Sequence, residues 1–276
     1  SKIYGIFNGT SNYILSSMDK ENKNFEEVLL TAKKLGYAES NPSADLNGSD
    51  VSSKLKILSS LCFNSFLNDK IYVEGIKNID KIDIINANKL GYKIKLLGFS
   101  EFFNNKFYQR VHPTLIRKES YVASIDGVLN AVIIDGHPVG ESVIQGEGAG
   151  PAATTSALIS DISSILRGNI KFPFSLSRKE RKKIKFESIE ERFFSAYLRF
   201  EVTDKPGVLS NITNIFSKNK VSIKRLVQNP NINKKISSII IITHKAKNKS
   251  LNKILHQVEK KYYVRKKPKL IRIDNT

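Results

Sequence analysis

The run from Gly36 to Lys54, GYAESNPSADLNGSDVSSK, gathers Glu39, Asp45, Asp50 and Lys54 among turn-forming residues, directly before an apolar segment. A carboxylate can bind an ammonium group, and a lysine beside a carboxylate can donate to a reacting oxygen. The combination suits recognition of a zwitterion. Asp50 and Lys54 stand four apart, so on a helix they lie one above the other. The same spacing describes a solvated surface pair, and turn-rich loops collect Asp and Asn because these residues bond their own backbone. Spacing alone leaves both readings open.

The elements that must position these groups read as helix, loop, helix. NFEEVLLTAKKLG puts Phe25, Val28, Leu29 and Ala32 on one helical face, with Gly36 as its stop. Asn41-Pro42 and Asn47-Gly48 are strong turn formers. Ser49 reads as an N-cap, followed by a buried stripe of Val51, Leu55, Leu58 and Cys62. Packing is then the expected role of Cys62.

The Gly36–Lys54 run resembles the signature of the homoserine dehydrogenase family, G-Y-[AT]-E-x-[DN]-P-x-x-D-L-x-G-x-D-x-x-x-K. Every fixed position is met, from Gly36, Tyr37 and Glu39 through Pro42, Asp45, Leu46 and Gly48 to Asp50 and Lys54. Other segments extend the resemblance. GIFNGTSNYIL (Gly5 to Leu15) is similar to the family's strand, Asn-Gly-Thr turn and helix. GYKIKLLGFS (Gly91 to Ser100) is similar to a core strand, and VHPTLI (Val111 to Ile116) to the strand that pairs with it. GVLNAVIIDG (Gly127 to Gly136) also fits, and GEGAGPAATTSALISDI (Gly146 to Ile162) is a glycine-rich loop opening a helix. Such a loop can offer backbone N–H groups to an anion or a cofactor edge, and equally can be a tight turn before a core helix.

No strand followed by G-x-G-x-x-G is present in the sequence, which starts at Ser1. The expectation is a C-terminal fragment, or one piece of a split or truncated coding sequence. The family's dinucleotide-binding domain, with a second catalytically important lysine, would then be missing, and the chain would not turn over substrate alone. The single cysteine excludes a disulfide framework and a zinc cluster. His112, His137, His244 and His256 are scattered without ligand spacing, so no metal is assigned. No apolar run approaches the roughly 20 residues of a membrane span, and a cytoplasmic protein is expected.

Charge divides the chain. Residues 1–168 hold 18 basic and 18 acidic side chains, whereas the remaining 108 residues hold 27 and 8, the whole of the net +19. The basic runs SRKERKKIK, KAKNK and KKYYVRKKPK favour lysine over arginine and carry no RNA-binding signature. A lysine-rich solvated surface is preferred to specific nucleic-acid binding. The expected organisation is residues 1–168 as a catalytic, substrate-binding and dimerisation domain, 169–191 as a linker, and 192–276 as a second domain.

That second domain reads strand, helix, strand, strand, helix, strand. FFSAYLRFEVTD alternates as a strand should, and KPGVLSNITNIFSKNK puts Val208, Ile212, Ile215 and Phe216 on one helical face. VSIKRLVQNP and KKISSIIIITHK are β-rich runs separated by an Asn-Pro-Asn turn. The order resembles an ACT domain, with Asp204-x-Pro206-Gly207-Val208-Leu209 at its first strand–helix junction. A plain ferredoxin-like module for association is the alternative. The fold class expected for the whole is α+β, a mixed sheet covered by helices followed by a ferredoxin-like βαββαβ domain.

The resemblance implies NAD(P)-dependent interconversion of L-homoserine and L-aspartate 4-semialdehyde, a step towards threonine, methionine and isoleucine. It implies Lys54 and Asp50 as catalytic, Glu39 for the substrate ammonium group, and Asp45, Tyr37, Gly9 and Thr10 around the substrate. Gly148, Ala149 and Gly150 would meet the nicotinamide end of a cofactor bound mostly by the missing domain. Threonine is the implied effector, at Asp204, Gly207, Val208 and Leu209, and a homo-oligomer, dimer or tetramer, is the implied assembly. Two rival classes are an amino-acid-sensing protein without catalysis, and a basic nucleic-acid binder whose affinity would fall steeply with salt.

Overall fold

The structure is a computed structural model that describes residues 1–63, 71–104, 106–169, 185–231 and 235–274. It divides into two compact units, Ser1–Glu187 and Ser188–Thr276. The first begins with β1 (Lys2–Ile6), α1 (Gly9–Glu21) and α2 (Phe25–Lys34). A short helix, α3 (Ser43–Asn47), then precedes α4 (Ser49–Phe63). After β2 (Tyr72–Val73) and α5 (Lys81–Lys89) come the long strands β3 (Tyr92–Phe103) and β4 (Lys106–Arg117). The unit continues through α6 (Tyr121–Ser124), β5 (Leu129–Gly136), β6 (Gly140–Glu147), α7 (Pro151–Leu166) and β7 (Lys185–Phe186).

Its sheet runs in the order β6-β5-β1-β3-β4 with antiparallel neighbours, and β2 and β7 pair in parallel with β4. The sheet is therefore mixed, as expected. α1, α4 and α5 pack on its central strands. Ile14, Leu15 and Met18 of α1 and Val51 and Leu55 of α4 enter the core with Ile3, Leu97, Val111 and Leu115. VHPTLI lies within β4 and pairs with β3, Ile94 opposite Leu115.

Three local expectations are corrected. The loop between α2 and α4 contains a one-turn helix, because Leu46 is buried and Leu46 N–H bonds back to the Pro42 carbonyl. Ser49 is the first helical residue rather than the cap. Its N–H donates to the Asn47 side chain at 2.8 Å, while its hydroxyl reaches back to the Ala44 carbonyl. The α4 stripe turns onto Val51, Ser52, Leu55, Ser59 and Ser60, leaving Leu58 half-buried and Cys62 exposed. The stop at Gly36 is where the sequence placed it, at φ +75° just beyond the last turn of α2.

The second unit contains a 3-10 turn at Ile189–Glu191, then β8 (Phe193–Thr203), α8 (Val208–Lys218), β9 (Ile223–Asn231) and β10 (Ile236–Thr243). It ends with β11 (Ala246–Lys247), α9 (Asn248–Glu259) and β12 (Lys269–Asp274). The order β12-β8-β10-β9 is antiparallel throughout, which is the ferredoxin-like arrangement. Val208, Ile212, Ile215 and Phe216 are buried on one face of α8. The Asn-Pro-Asn turn is not a turn: Pro230 sits within β9 opposite Ser237. β9 is the edge of the sheet, where a residue without an N–H leaves no ladder bond unmade on the open side. Of the proposed linker, residues 170–184 lie outside the described residues, and Lys185–Phe186 pairs with β4. No helix among the described residues is long and apolar enough to cross a membrane.

One buried lysine, paired with the half-buried Asp126, ties the first unit together. Lys95 of β3 is 1% exposed, and its Nζ donates to Asp126 Oδ1 at 2.8 Å, Asn12 Oδ1 at 3.1 Å and the Ile125 carbonyl at 2.5 Å. Burial pulls the Lys95 ammonium below the usual lysine value, with Asp126 opposing. Burial would raise the Asp126 carboxyl, but the hydrogen bond and charge of Lys95, with Lys20 and Lys93, hold it far below the carboxylate range. A carboxyl depressed in the folded state stabilises above its unfolded value, about pH 4, and that contribution is lost as pH falls. Asp126→Asn should therefore lower the unfolding free energy by about 3 kcal/mol at pH 7. The deficit should shrink below about pH 4 in denaturant melts, and an equal deficit at pH 7 and pH 3 would contradict this account.

Candidate functional site

The chain leaves β1 at Ile6, and Asn8 adopts an extended conformation that caps α1. Its side-chain oxygen accepts from Ser11 N–H at 2.7 Å, which fixes the amide orientation. The amide nitrogen then points at two carboxylates, donating to Asp45 Oδ1 at 2.7 Å and Asp50 Oδ2 at 2.8 Å. Asp50 Oδ2 lies 2.9 Å from Lys54 Nζ, which also donates to the Phe7 carbonyl at 3.0 Å. Residues from β1, α3 and α4 thus meet at the start of α1.

Local packing explains why each arrives. Buried Leu46 orients α3, and Val51 with Leu55 turns α4 so that Asp50 and Lys54 stay at its rim. Gly48 joins the two helices at φ +84°, where a Cβ would press within 3.1 Å of Val73 and 3.3 Å of Val111. A Cβ on Gly9 would lie 2.7 Å from the Val128 carbonyl, so α1 can start only against that carbonyl if this position is small. Thr10 Oγ1 donates to the Tyr37 carbonyl at 2.6 Å, and the Tyr13 and Tyr37 rings stand 4.9 Å apart. These contacts hold the segment carrying Glu39 near the start of α1.

Glu39 itself is exposed and has no hydrogen-bond or ion-pair partner among the described residues. The half-exposed Asp50–Lys54 pair adds little to stability by itself. Two carboxylates against one ammonium leave the cluster acceptor-rich, and Glu39 adds another acceptor. A ligand bearing an ammonium group and a neutral oxygen fits that balance: the ammonium at a carboxylate, the oxygen at Lys54.

Gly148, Ala149 and Gly150 are exposed and lead into α7. No hydrogen bond, ion pair or ring contact joins them to the Asn8 cluster among the described residues. A Cβ on Gly148 would fall 1.8 Å from Asn130 Nδ2, so the Asn130 side chain on β5 would have to turn aside to admit one. Gly150 differs: it faces open space at φ +109° and precedes Pro151, leaving the first N–H groups of α7 available to a cofactor edge. α7 has no buried residue, and Leu158, Ile159, Ile162 and Ile165 are exposed along it. In the second unit, Asp204, Gly207, Val208 and Leu209 line a cavity of about 460 Å³.

Sequence reasoning overlooked Asn8. Its signal was the Asn-Gly-Thr turn directly after a strand, a capping position. The two carboxylates it holds come from far along the chain, which no local pattern reveals.

Residues 1–163 match the homoserine dehydrogenase family. The chain belongs to that family. Residues 198–266 match the AHAS small subunit-like ACT domain. The homoserine dehydrogenase of Helicobacter pylori is 38% identical over 272 residues, covering 98% of this chain and 64% of that protein. The crystal structure of a homoserine dehydrogenase from Thiobacillus denitrificans superposes with TM-score 0.90 at 35% identity, over 99% of this chain and 64% of that one. A hyperthermophilic archaeal homoserine dehydrogenase mutant in complex with NADPH is more distant, with TM-score 0.51, 26% identity and coverage of 61% and 48%. The chain thus spans just under two thirds of the length of the Helicobacter pylori protein.

The Asn8 clamp gives a direct stability test. Asn8→Asp keeps the cap acceptor for Ser11 but replaces two donated hydrogen bonds with a third carboxylate. It should destabilise more than Asn8→Ala at pH 7, by about 1–2 kcal/mol beyond the loss of a cap. The gap between the two variants should narrow as pH falls through about 4, where carboxylates take up protons. Thermal melts read both, and an Asn8→Asp chain as stable as Asn8→Ala would refute the clamp.

Proposed function

We propose that the chain forms the substrate-binding and regulatory part of a homoserine dehydrogenase, acting in NAD(P)-dependent interconversion of L-homoserine and L-aspartate 4-semialdehyde. The observation that carries the reading is the Asp50–Lys54 pair, fixed by Asn8 and the Phe7 carbonyl, with Glu39, exposed and without a partner among the described residues, on the segment that Thr10 holds at Tyr37. Glu39 binds the substrate ammonium group, and Asp45 with Tyr37, Gly9 and Thr10 shapes the surrounding wall. Lys54 donates to the aldehyde oxygen as negative charge develops on it, and in the reverse direction relays the alcohol proton away. Asp50 and the Phe7 carbonyl keep Lys54 aimed.

A nicotinamide cofactor, when bound, exchanges the hydride with the substrate carbon. Most of its binding surface is assigned to a dinucleotide-binding domain outside these 276 residues, with Gly150 and the first turn of α7 meeting the nicotinamide end. The NADPH held by the archaeal relative supports that class of cofactor. The cavity at Asp204, Gly207, Val208 and Leu209 is assigned to an amino-acid effector, threonine by the family's chemistry. Under this reading the chain acts in threonine, methionine and isoleucine biosynthesis.

A homo-oligomer is supported by β6, which ends the sheet with Val143 and Ile144 exposed and, among the described residues, no strand on its outer side. Such an edge pairs readily with a second copy. Ile144→Lys should shift the chain towards monomer in analytical ultracentrifugation, whereas an unchanged mass would reject this edge as the contact.

Turnover is tested by joining the chain to the part of the Helicobacter pylori relative that it does not cover. Homoserine-dependent reduction of NAD(P) should appear, and Lys54→Ala should lower kcat by about 10²–10⁴-fold without altering the melting temperature. Near-full activity of that variant would remove Lys54 from the mechanism. An amino-acid-sensing protein without catalysis would instead bind threonine and show no turnover in the joined chain.

A further inference from the structure

The cavity of the second unit contains a polar group that the four effector residues leave unexplained. Its floor is one face of β8 and β10. Val202 stands opposite Ser237, and Ile239 lies two residues further along β10, so the three side chains share that face. Val208 and Leu209 of α8 line the same cavity. Ser237 is 1% exposed, and its hydroxyl has no hydrogen-bond partner among the described residues. A buried hydroxyl left unpaired carries its full desolvation penalty, so a position between Val202 and Ile239 on a ligand cavity needs a partner from the ligand.

The mouth of the cavity supplies the other contacts. α8 begins at Gly207, φ +85°, with no side-chain cap; Val208 N–H makes only a long bond of 3.4 Å to the Lys205 carbonyl, and the N–H groups that follow it in the first turn can meet a carboxylate. Asp204 lines the same cavity, and among the described residues its side chain receives only a long hydrogen bond of 3.4 Å from Gln228 Nε2, so it can take an ammonium group. An α-amino acid engaged at both points directs its side chain to the floor.

Resting on the effector reading above, we propose that Ser237 reads a hydroxyl on the ligand β-carbon, so that the cavity selects a short β-hydroxy amino acid over its apolar isostere. Val202 and Ile239 accept the methyl group common to both ligands. Only the hydroxylated one satisfies Ser237.

Isothermal titration of the full chain with L-threonine and L-valine tests this. The parent chain should prefer threonine by about tenfold or more, the difference of one satisfied hydrogen bond. Ser237→Ala should erase the preference, mainly by weakening threonine, and should melt no lower than the parent because an unpaired hydroxyl has been removed. Equal affinities in the parent, or a preference that survives Ser237→Ala, would overturn the role of Ser237 while leaving the effector site intact. Asp204→Ala separates the two levels of the argument: it should weaken both amino acids alike. Failure of both amino acids to bind the parent at millimolar concentration would overturn the effector reading itself, and with it this inference.

Discussion

Lys95 brings a positive charge into the interior of the first unit, and the geometry at the site depends on how that charge is matched. Asp126 neutralises it, while Asn12 and the Ile125 carbonyl complete its donors. Asn12 in turn donates to the carbonyls of Ile125, Gly127 and Leu129, so the segment before β5 is fastened to α1. The Val128 carbonyl is then pressed against Gly9, which sets where α1 begins. Because α1 begins there, Asn8 can reach Asp45 and Asp50 together. The partly exposed Asp50–Lys54 pair thus takes its position from the pairing of Lys95 with Asp126, passed on through Asn12 and the start of α1.

The parts of this arrangement that the sequence made legible are those set by neighbours along the chain. Gly36, Gly48 and the Asp50–Lys54 spacing follow from local backbone rules, and each lies where those rules put it. The buried stripe of α4 was misjudged because hydrophobicity was allowed to choose the face. Packing against β1 and β3 instead rotates Ser52, Ser59 and Ser60 inward and leaves Cys62 outside. Pro230 was misjudged for a related reason. Proline signals a turn unless the strand is an edge, and edge status depends on sheet order. Asn8 escaped notice because its partners arrive from two other helices.

The division of charge now has a structural setting. The unit holding the excess of lysines is built on a strand order in which β8 and β10 occupy the centre. Ionic groups do penetrate that sheet: Arg199 is buried against Glu201, and Arg272 donates to Asn248 Oδ1 at 2.8 Å. Both are arginines, whose planar heads suit fixed hydrogen-bonding partners. Lysines such as Lys247 and Lys266 meet their carboxylates with exposed side chains. Arg199 and Arg272 therefore serve the interior of this half, whereas Arg225, Arg265 and lysines such as Lys247 and Lys266 stay at its surface.

Asn8 is followed by Gly9, and glycine leaves its backbone nitrogen unhindered for attack on the preceding side-chain amide. That slow reaction ends in hydrolysis, which would exchange the one neutral member of the cluster for an acid. Here the amide is buried, and both of its atoms are engaged, the oxygen by Ser11 and the nitrogen by Asp45 and Asp50. The fold that aims the amide also shelters it, so the chemical lifetime of the site is tied to how rarely α1 frays at its first turn.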